Sequence, residues 1–447
     1  MKLKPVLEVQ LGTPIGQLRA TPVRLGKGEP PAFLVVYASD FDVDPYIEMF
    51  FFPKDTLKMA LISSNGSIIW RRDLGGGVVP GQWFCPFLAF DLDRDGVDEI
   101  WFVNNVDEKH PLGLSSYRLA RIDAKTGEIT GQWKWPDSLG ADNSLSHTFR
   151  NFIRGGYVKG EPVLITAQGT YGDMFLQAYD PGLSLRWEHK IGKEEPGARG
   201  SHMAPIVDLD GDGIQEILWG ERCIELDRGS EIFCADRFSY RGHSDVVIPV
   251  LDRGSGKLFI FTCRESDHEA SPRVVLFDSN GKRVWGSIER GHVDMGWVAR
   301  LAPEGKQVAT AIKIDHKTCG PDGRFHYGLE EYAWEALTGK PINLPFSTYK
   351  TIPVDLNGDG LHEFVRGIPG GDGNIIDWNG SVLESVGGTT AMARKFMDLA
   401  GEQLLVYYPD GKVRVWADME AEDSSLARSR YAHPTYALND ESALCGL

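Results

Sequence analysis

The sequence predicts an all-β fold, a β-propeller of four-stranded antiparallel blades, and three observations carry that prediction. Glycine is abundant at 51 residues, hydrophobic residues make up 42% of the chain and aromatics 11%, which suits many short strands joined by tight turns. An acidic segment recurs three times, and a turn glycine, often followed by an aromatic, recurs at a spacing typical of propeller blades. A chain of 447 residues is long enough for two or three average domains, but propellers use this length as one, so residues 1–447 are read as a single domain.

The acidic segments are Asp91-Leu92-Asp93-Arg94-Asp95-Gly96-Val97-Asp98-Glu99, Asp208-Leu209-Asp210-Gly211-Asp212-Gly213-Ile214-Gln215-Glu216 and Asp355-Leu356-Asn357-Gly358-Asp359-Gly360-Leu361-His362-Glu363. Oxygen ligands at positions 1, 3, 5 and 9, with a backbone carbonyl at 7, can surround a hard cation, and glycine at 6 permits the turn. Calcium is therefore expected on Asp91, Asp93, Asp95 and Glu99, on Asp208, Asp210, Asp212 and Glu216, and on Asp355, Asn357, Asp359 and Glu363. The spacing differs from an EF-hand, whose bidentate Glu stands at position 12 between helices, whereas the flanks here read as strands. Internal Asx hydrogen bonds alone are the metal-free alternative.

The turn glycines are Gly66, Gly127, Gly182, Gly229, Gly281, Gly339, Gly380 and Gly411, spaced 31 to 61 residues apart. Eight blades are counted, with seven the alternative. The last hairpin leaves room for only three strands, so a strand from the N-terminal segment, Val6–Gln10, is expected to complete that blade.

Charge and composition narrow the partners. A net charge of −16 argues against nucleic acid and anionic membrane surfaces. No run of 18 apolar residues suggests a membrane span, and Met1-Lys2-Leu3-Lys4-Pro5 lacks the apolar core of a secretory signal. The chain as written reads as cytoplasmic, or as secreted if a signal has been removed. Six scattered cysteines in a chain of this size are read as buried free thiols.

In a propeller the first strand of each blade lies nearest the axis, so its start opens on the face opposite the acidic loops. This places His147, His202, His243 and His292 at the head of the first strands of four consecutive blades, with Tyr349 in the equivalent place of the next. Such convergence suits proton transfer near neutral pH or a transition metal. Arg150, Arg199, Tyr171, Asp173 and Tyr240 fall close by and favour proton transfer.

The run from Ser201-His202 through Asp208–Gly213, then Leu226–Gly229, Gly242-His243-Ser244-Asp245 and Gly291-His292-Val293-Asp294, resembles the propeller lyases of rhamnose-containing acidic polysaccharides. These are the rhamnogalacturonan, ulvan and rhamnosyl-glucuronate lyases, and the likeness spans roughly residues 85–380. Without β-sandwich extensions the chain leans towards the shorter ulvan and rhamnosyl-glucuronate enzymes. The resemblance implies β-elimination next to a uronic acid, which needs a cation on the carboxylate, a base for the C5 proton and an acid for the leaving oxygen. By resemblance and position Arg199 is the expected neutraliser, His147 or His202 the base and Tyr240 the acid. Arg150, Tyr171, His243, His292 and Tyr349 would bind the acidic polysaccharide, and activity should fall as the base protonates, near pH 6 to 7. A noncatalytic carbohydrate- or protein-binding propeller, and a glycoside hydrolase using Asp245 and Asp294, are the alternatives.

Overall fold

The computed structural model describes residues 1–136, 144–265 and 271–439 and shows a ring of eight blades. The innermost strands are Gln17–Val23, Phe87–Phe90, Phe152–Val158, Ile206–Val207, Ser244–Asp252, His292–Met295 continued by Val298–Leu301, Ile352–Val354 and Thr389–Arg394. From each of them the antiparallel partners step outward in radial order. Central strands such as Ala32–Ala38 and Glu216–Trp219 are buried at every position, as expected for sheets packed on both faces.

The eighth blade closes the ring as the spacing predicts. Its own strands are Thr389–Arg394, Gln403–Tyr407 and Lys412–Asp418, and Leu3–Gln10 supplies the fourth, with Leu3 opposite Asp418 and Gln10 opposite Lys412. The Gly411 hairpin therefore joins the second and third strands, whereas the other seven glycines follow the third strand of their blades. In the sixth blade the outermost strand is reduced to a bridge between Trp334 and Pro341, and a hairpin, His316–Gly320 with Gly323–Tyr327, is inserted after the second strand.

The glycine and aromatic repeat has a packing cause. A Cβ on Gly127 would stand 2.6 Å from the Trp70 ring, on Gly229 2.5 Å from Trp187, on Gly281 2.4 Å from Phe233 and on Gly339 2.6 Å from Trp285. Each aromatic of one blade thus lies flush under the turn of the next, and the tryptophans also donate across it, to the Ala124, Leu226 and Ala336 carbonyls at 2.7, 2.8 and 2.9 Å.

The acidic segments join first to second strands in the second, fourth and seventh blades, as expected. All three share one hydrogen-bond pattern, in which the sixth-position glycine amide donates to the first Asp at 3.1, 3.1 and 3.0 Å. Two short helices, Ser425–Tyr431 and Pro434–Leu438, cross this face, and Asn439 then pairs with both the amide and the carbonyl of Ile206. Four described cysteines, Cys85, Cys223, Cys234 and Cys263, are buried thiols and Cys319 is half-buried; Cys445 lies outside the described residues. No helix among the described residues is long and apolar enough to cross a membrane.

Candidate active site

A cavity of about 1260 Å³ opens at the axial end where the innermost strands begin, and residues from all eight blades line it. His202, His243 and His292 stand at the heads of consecutive innermost strands and all face it. Tyr171 reaches it from the turn after Glu161–Gln168, held at φ 82°, a left-handed conformation that L side chains rarely adopt and that clusters at functional sites.

These groups form one continuous chain of contacts. The Tyr171 hydroxyl is 2.8 Å from His202 Nε2, and His202 Nδ1 is 3.2 Å from Asp245. His243 Nε2 lies between Asp245 at 3.1 Å and Glu265 at 2.6 Å. Lys317, on the inserted hairpin, bridges Glu265 and Asp294 at 2.6 Å each, and His292 closes on Asp294 at 3.2 Å. Beside Tyr171, Asp44 takes Arg150 and Arg324, both at 3.0 Å, and Arg150 spans the rings of Trp83 and Tyr171 at 5.0 and 5.3 Å.

The electrostatics separate the imidazoles. Burial would lower His243, but Glu265 and Asp245 outweigh it and raise the group to about 9, so it is a fixed cation at neutral pH. His202 is lowered, chiefly by burial and also by Arg150, against the pull of Asp245; it is a neutral base at neutral pH. Burial holds the Tyr171 hydroxyl well above its ordinary value, so it carries its proton. His292 is raised by its bond to Asp294, while burial and Arg324 lower His326 to about 4.

Four residues expected at the cavity, His147, Arg199, Tyr240 and Tyr349, do not line it. His147 sits in a helix, Leu145–Phe149, capped by Ser144, and its Nε2 lies 3.0 Å from the Asp173 carbonyl. Arg199 donates to the carbonyls of Gly192 and Glu195, pinning its own loop. Tyr240 is buried beneath the Arg264 guanidinium and donates to the His243 carbonyl at 2.5 Å. Tyr349 stands behind the cavity-lining His326, its ring edge-on at 6.0 Å and its hydroxyl 3.2 Å from His326 Nδ1. Conversely, the sequence reading missed Asp44, Trp83, Glu265, Lys317, Arg324 and His326. The signal for three of these was the long sixth blade, whose extra hairpin emerges on the histidine face.

Comparison with known proteins follows this geometry. Residues 123–320 match the family model "Rhamnogalacturonan lyase family 11, C-terminal domain". The chain is similar to rhamnogalacturonan lyases. The rhamnogalacturonan exolyase YesX of Bacillus subtilis is 27% identical over 307 residues, covering 62% of this chain and 49% of that protein. The endolyase YesW of the same organism is 28% identical over 277 residues, covering 54% of this chain and 43% of that protein. The chain thus spans less than half the length of these curated relatives. The Bacillus licheniformis rhamnogalacturonan lyase PL11 shares the fold, with a TM-score of 0.75 at 20% identity over 98% of this chain and 81% of that one. The crystal structure of YesW gives 0.74 at 19% identity, over 97% of this chain and 80% of that one.

Proposed function

We propose that the protein is a polysaccharide lyase that cleaves a rhamnose-containing acidic chain at a 4-linked uronate by β-elimination. The contact of 2.8 Å between the Tyr171 hydroxyl and His202 Nε2, inside the cavity, carries this reading. His202 with Nδ1 towards Asp245 presents a basic Nε2, and Tyr171 is a protonated acid beside it. His202 takes the C5 proton, the C–H electrons form the C4–C5 double bond, the C4–O4 bond breaks, and Tyr171 protonates O4. Transfer of the proton from His202 Nε2 to the Tyr171 oxygen then resets both groups without a relay.

The substrate carboxylate needs a cation, and Arg150 serves in place of Arg199. It lines the cavity beside Tyr171, and its Nη1 has no hydrogen-bond partner among the described residues. Two guanidinium groups answering the single Asp44 carboxylate leave that wall rich in donors for an anion. Hydrolysis is disfavoured because Asp245 is held far below the ordinary carboxylate range by His202 and His243, despite its burial, and offers no acidic proton. Incubation with rhamnogalacturonan, ulvan and rhamnose-capped gums, followed by ultraviolet absorbance of unsaturated uronate, tests the reading; no product from any of them would contradict it.

The acidic loops fit structural calcium, on the face opposite the cavity. Ligand oxygens of Asp91, Asp93 and Asp95, and those of Asp208, Asp210 and Asp212, lie within 4.8 Å of one another, and Asp91 Oδ1 is buried without a hydrogen-bond partner. In the third loop Asp355 Oδ1 is likewise buried without a hydrogen-bond partner, while the Asn357 amide donates to Asp359 and Glu363 and Tyr431 donates to the other Asp355 oxygen.

A further inference from the structure

We propose that Arg253, Arg300 and Arg430 form a binding site for a small doubly charged oxyanion, sulfate or phosphate, on the face opposite the cavity, where it ties the helix Ser425–Tyr431 to the fifth and sixth blades. The site stands apart from the lyase reading, and none of the three arginines lines the cavity. Arg253 directly follows the innermost strand Ser244–Asp252, and Arg300 lies in Val298–Leu301, the second half of the neighbouring innermost strand, so both stand at the end away from the histidines. There the Gln307 side-chain amide donates to the Leu251 carbonyl at 3.1 Å and joins the two blades. Arg430 comes from the helix that crosses this face.

The three side chains concentrate buried positive charge. Arg300 is only 7% exposed, and its Nε and Nη2 are buried with no hydrogen-bond partner among the described residues; Nε of the half-buried Arg253 is in the same condition. The carboxylates within reach are already engaged. Glu402 accepts from the Tyr436 hydroxyl at 2.7 Å and the Asp355 amide at 2.8 Å, and pairs with Arg430 at 3.0 Å. Asp252 accepts from the Gly254 amide at 3.0 Å and the Ser255 hydroxyl at 2.6 Å, both in its own turn. Burial, Arg253 and Arg430 together lower Arg300 to about 10, the effect of guanidinium groups crowded without an intervening anion. The strand cannot swing away to relieve this, because His362 holds the Arg300 backbone on both sides, its Nδ1 2.9 Å from the amide and its own amide 2.8 Å from the carbonyl. Water could satisfy the N–H groups but would leave the repulsion between the cations. Glu402 answers one of the three charges, so a dianion with several acceptor oxygens balances the remainder, and the half-buried Arg253 gives it access from solvent.

Calorimetric titration of the full chain with sodium sulfate, and separately with sodium phosphate, in chloride buffer of matched ionic strength tests the site. The unmodified protein should bind one of these anions saturably, and the tighter arm identifies which. Arg300→Met should weaken that binding by about tenfold or more, the worth of one lost charge-assisted hydrogen bond, with its melting temperature showing that it folds. Should Arg300→Met fail to fold, Arg253→Gln, at a half-buried position, is expected to weaken binding in the same way and keeps the question decidable. The absence of saturable binding of either anion would overturn the proposal. So would binding retained at full strength in the folded variants, which would place the anion elsewhere. A melting temperature that rises with sulfate without saturation, equally in the unmodified protein and the variants, would reduce the response to general exclusion of the anion from protein surface and overturn it as well.

Discussion

His147 and His202 each precede the innermost strand of its blade, yet only His202 faces the cavity, because Ser144 caps a helical turn that winds His147 towards the Asp173 carbonyl. His202→Ala is accordingly expected to lower kcat by about 10²–10⁴, the usual worth of a positioned base, while His147→Ala changes stability more than turnover. Tyr240→Phe, which removes a buried hydroxyl from the His243 carbonyl, should cost about 1 kcal/mol of stability in denaturant melts and leave kcat intact. The pH profile follows from the same groups. Because burial and Arg150 hold His202 below its ordinary value of 6.5, the acidic limb of kcat/KM should have its midpoint below 6.5. A midpoint above 7 would contradict this assignment. His202, His243 and His292 were legible in the sequence because strand heads recur at one height in every blade. Arg199 and Tyr240 misled because the direction of a loop side chain depends on turns that spacing does not encode. Glu265 and Lys317 gave no motif, as each comes from a separate strand end and meets its partners only in the closed ring.

Among the elements, the turn glycines show what a repeat in the sequence can and cannot say. Their spacing announced blades; at Gly127, Gly229, Gly281 and Gly339 the turn itself asks for a left-handed φ of 69 to 75°, and a second reason for glycine, a neighbouring aromatic ring with no room for a Cβ, lies between blades and is invisible along one chain segment. Gly229→Ala should therefore destabilise by about 1–3 kcal/mol, through overpacking against Trp187 and the left-handed φ of 70°, a shift readable as a lower melting temperature; an unchanged melting temperature would contradict it. The acidic loops were placed correctly between first and second strands, and their proposed calcium makes a pH-dependent prediction. Burial raises Glu216 to about 8 and Glu99 to about 7, helped by Asp210 and Asp208 in one loop and Asp93 in the other. Groups that bind protons more tightly when folded lose stability as pH rises from about 4.5 towards these values, so chelated protein should melt at progressively lower temperature across that range. Calcium would replace the protons and flatten the slope, and Asp210→Ala should remove most of its effect at the fourth blade. A melt indifferent to both chelator and calcium would remove the metal from the account.

At the level of the whole molecule, eight innermost strands converge so that side chains from every blade share one cavity, and the N-terminal strand Leu3–Gln10 closes the ring that holds it. The blade count and the closure were legible from period alone, since the last hairpin comes too early for a fourth strand. The C-terminal helices were not, because segments of seven and five residues show no sustained amphipathic period, although Leu438 lines the cavity and Asn439 binds Ile206. The fold brings a neutral imidazole, a protonated phenol and an incompletely satisfied guanidinium to the axis, on the face away from the acidic loops. The most direct test of that arrangement is the release of unsaturated uronate from rhamnogalacturonan, followed by ultraviolet absorbance for the unmodified protein, His202→Ala, Tyr171→Phe and Tyr240→Phe side by side. The account predicts product from the unmodified protein and Tyr240→Phe and almost none from the other two; full activity in His202→Ala and Tyr171→Phe, with loss in Tyr240→Phe, would contradict it.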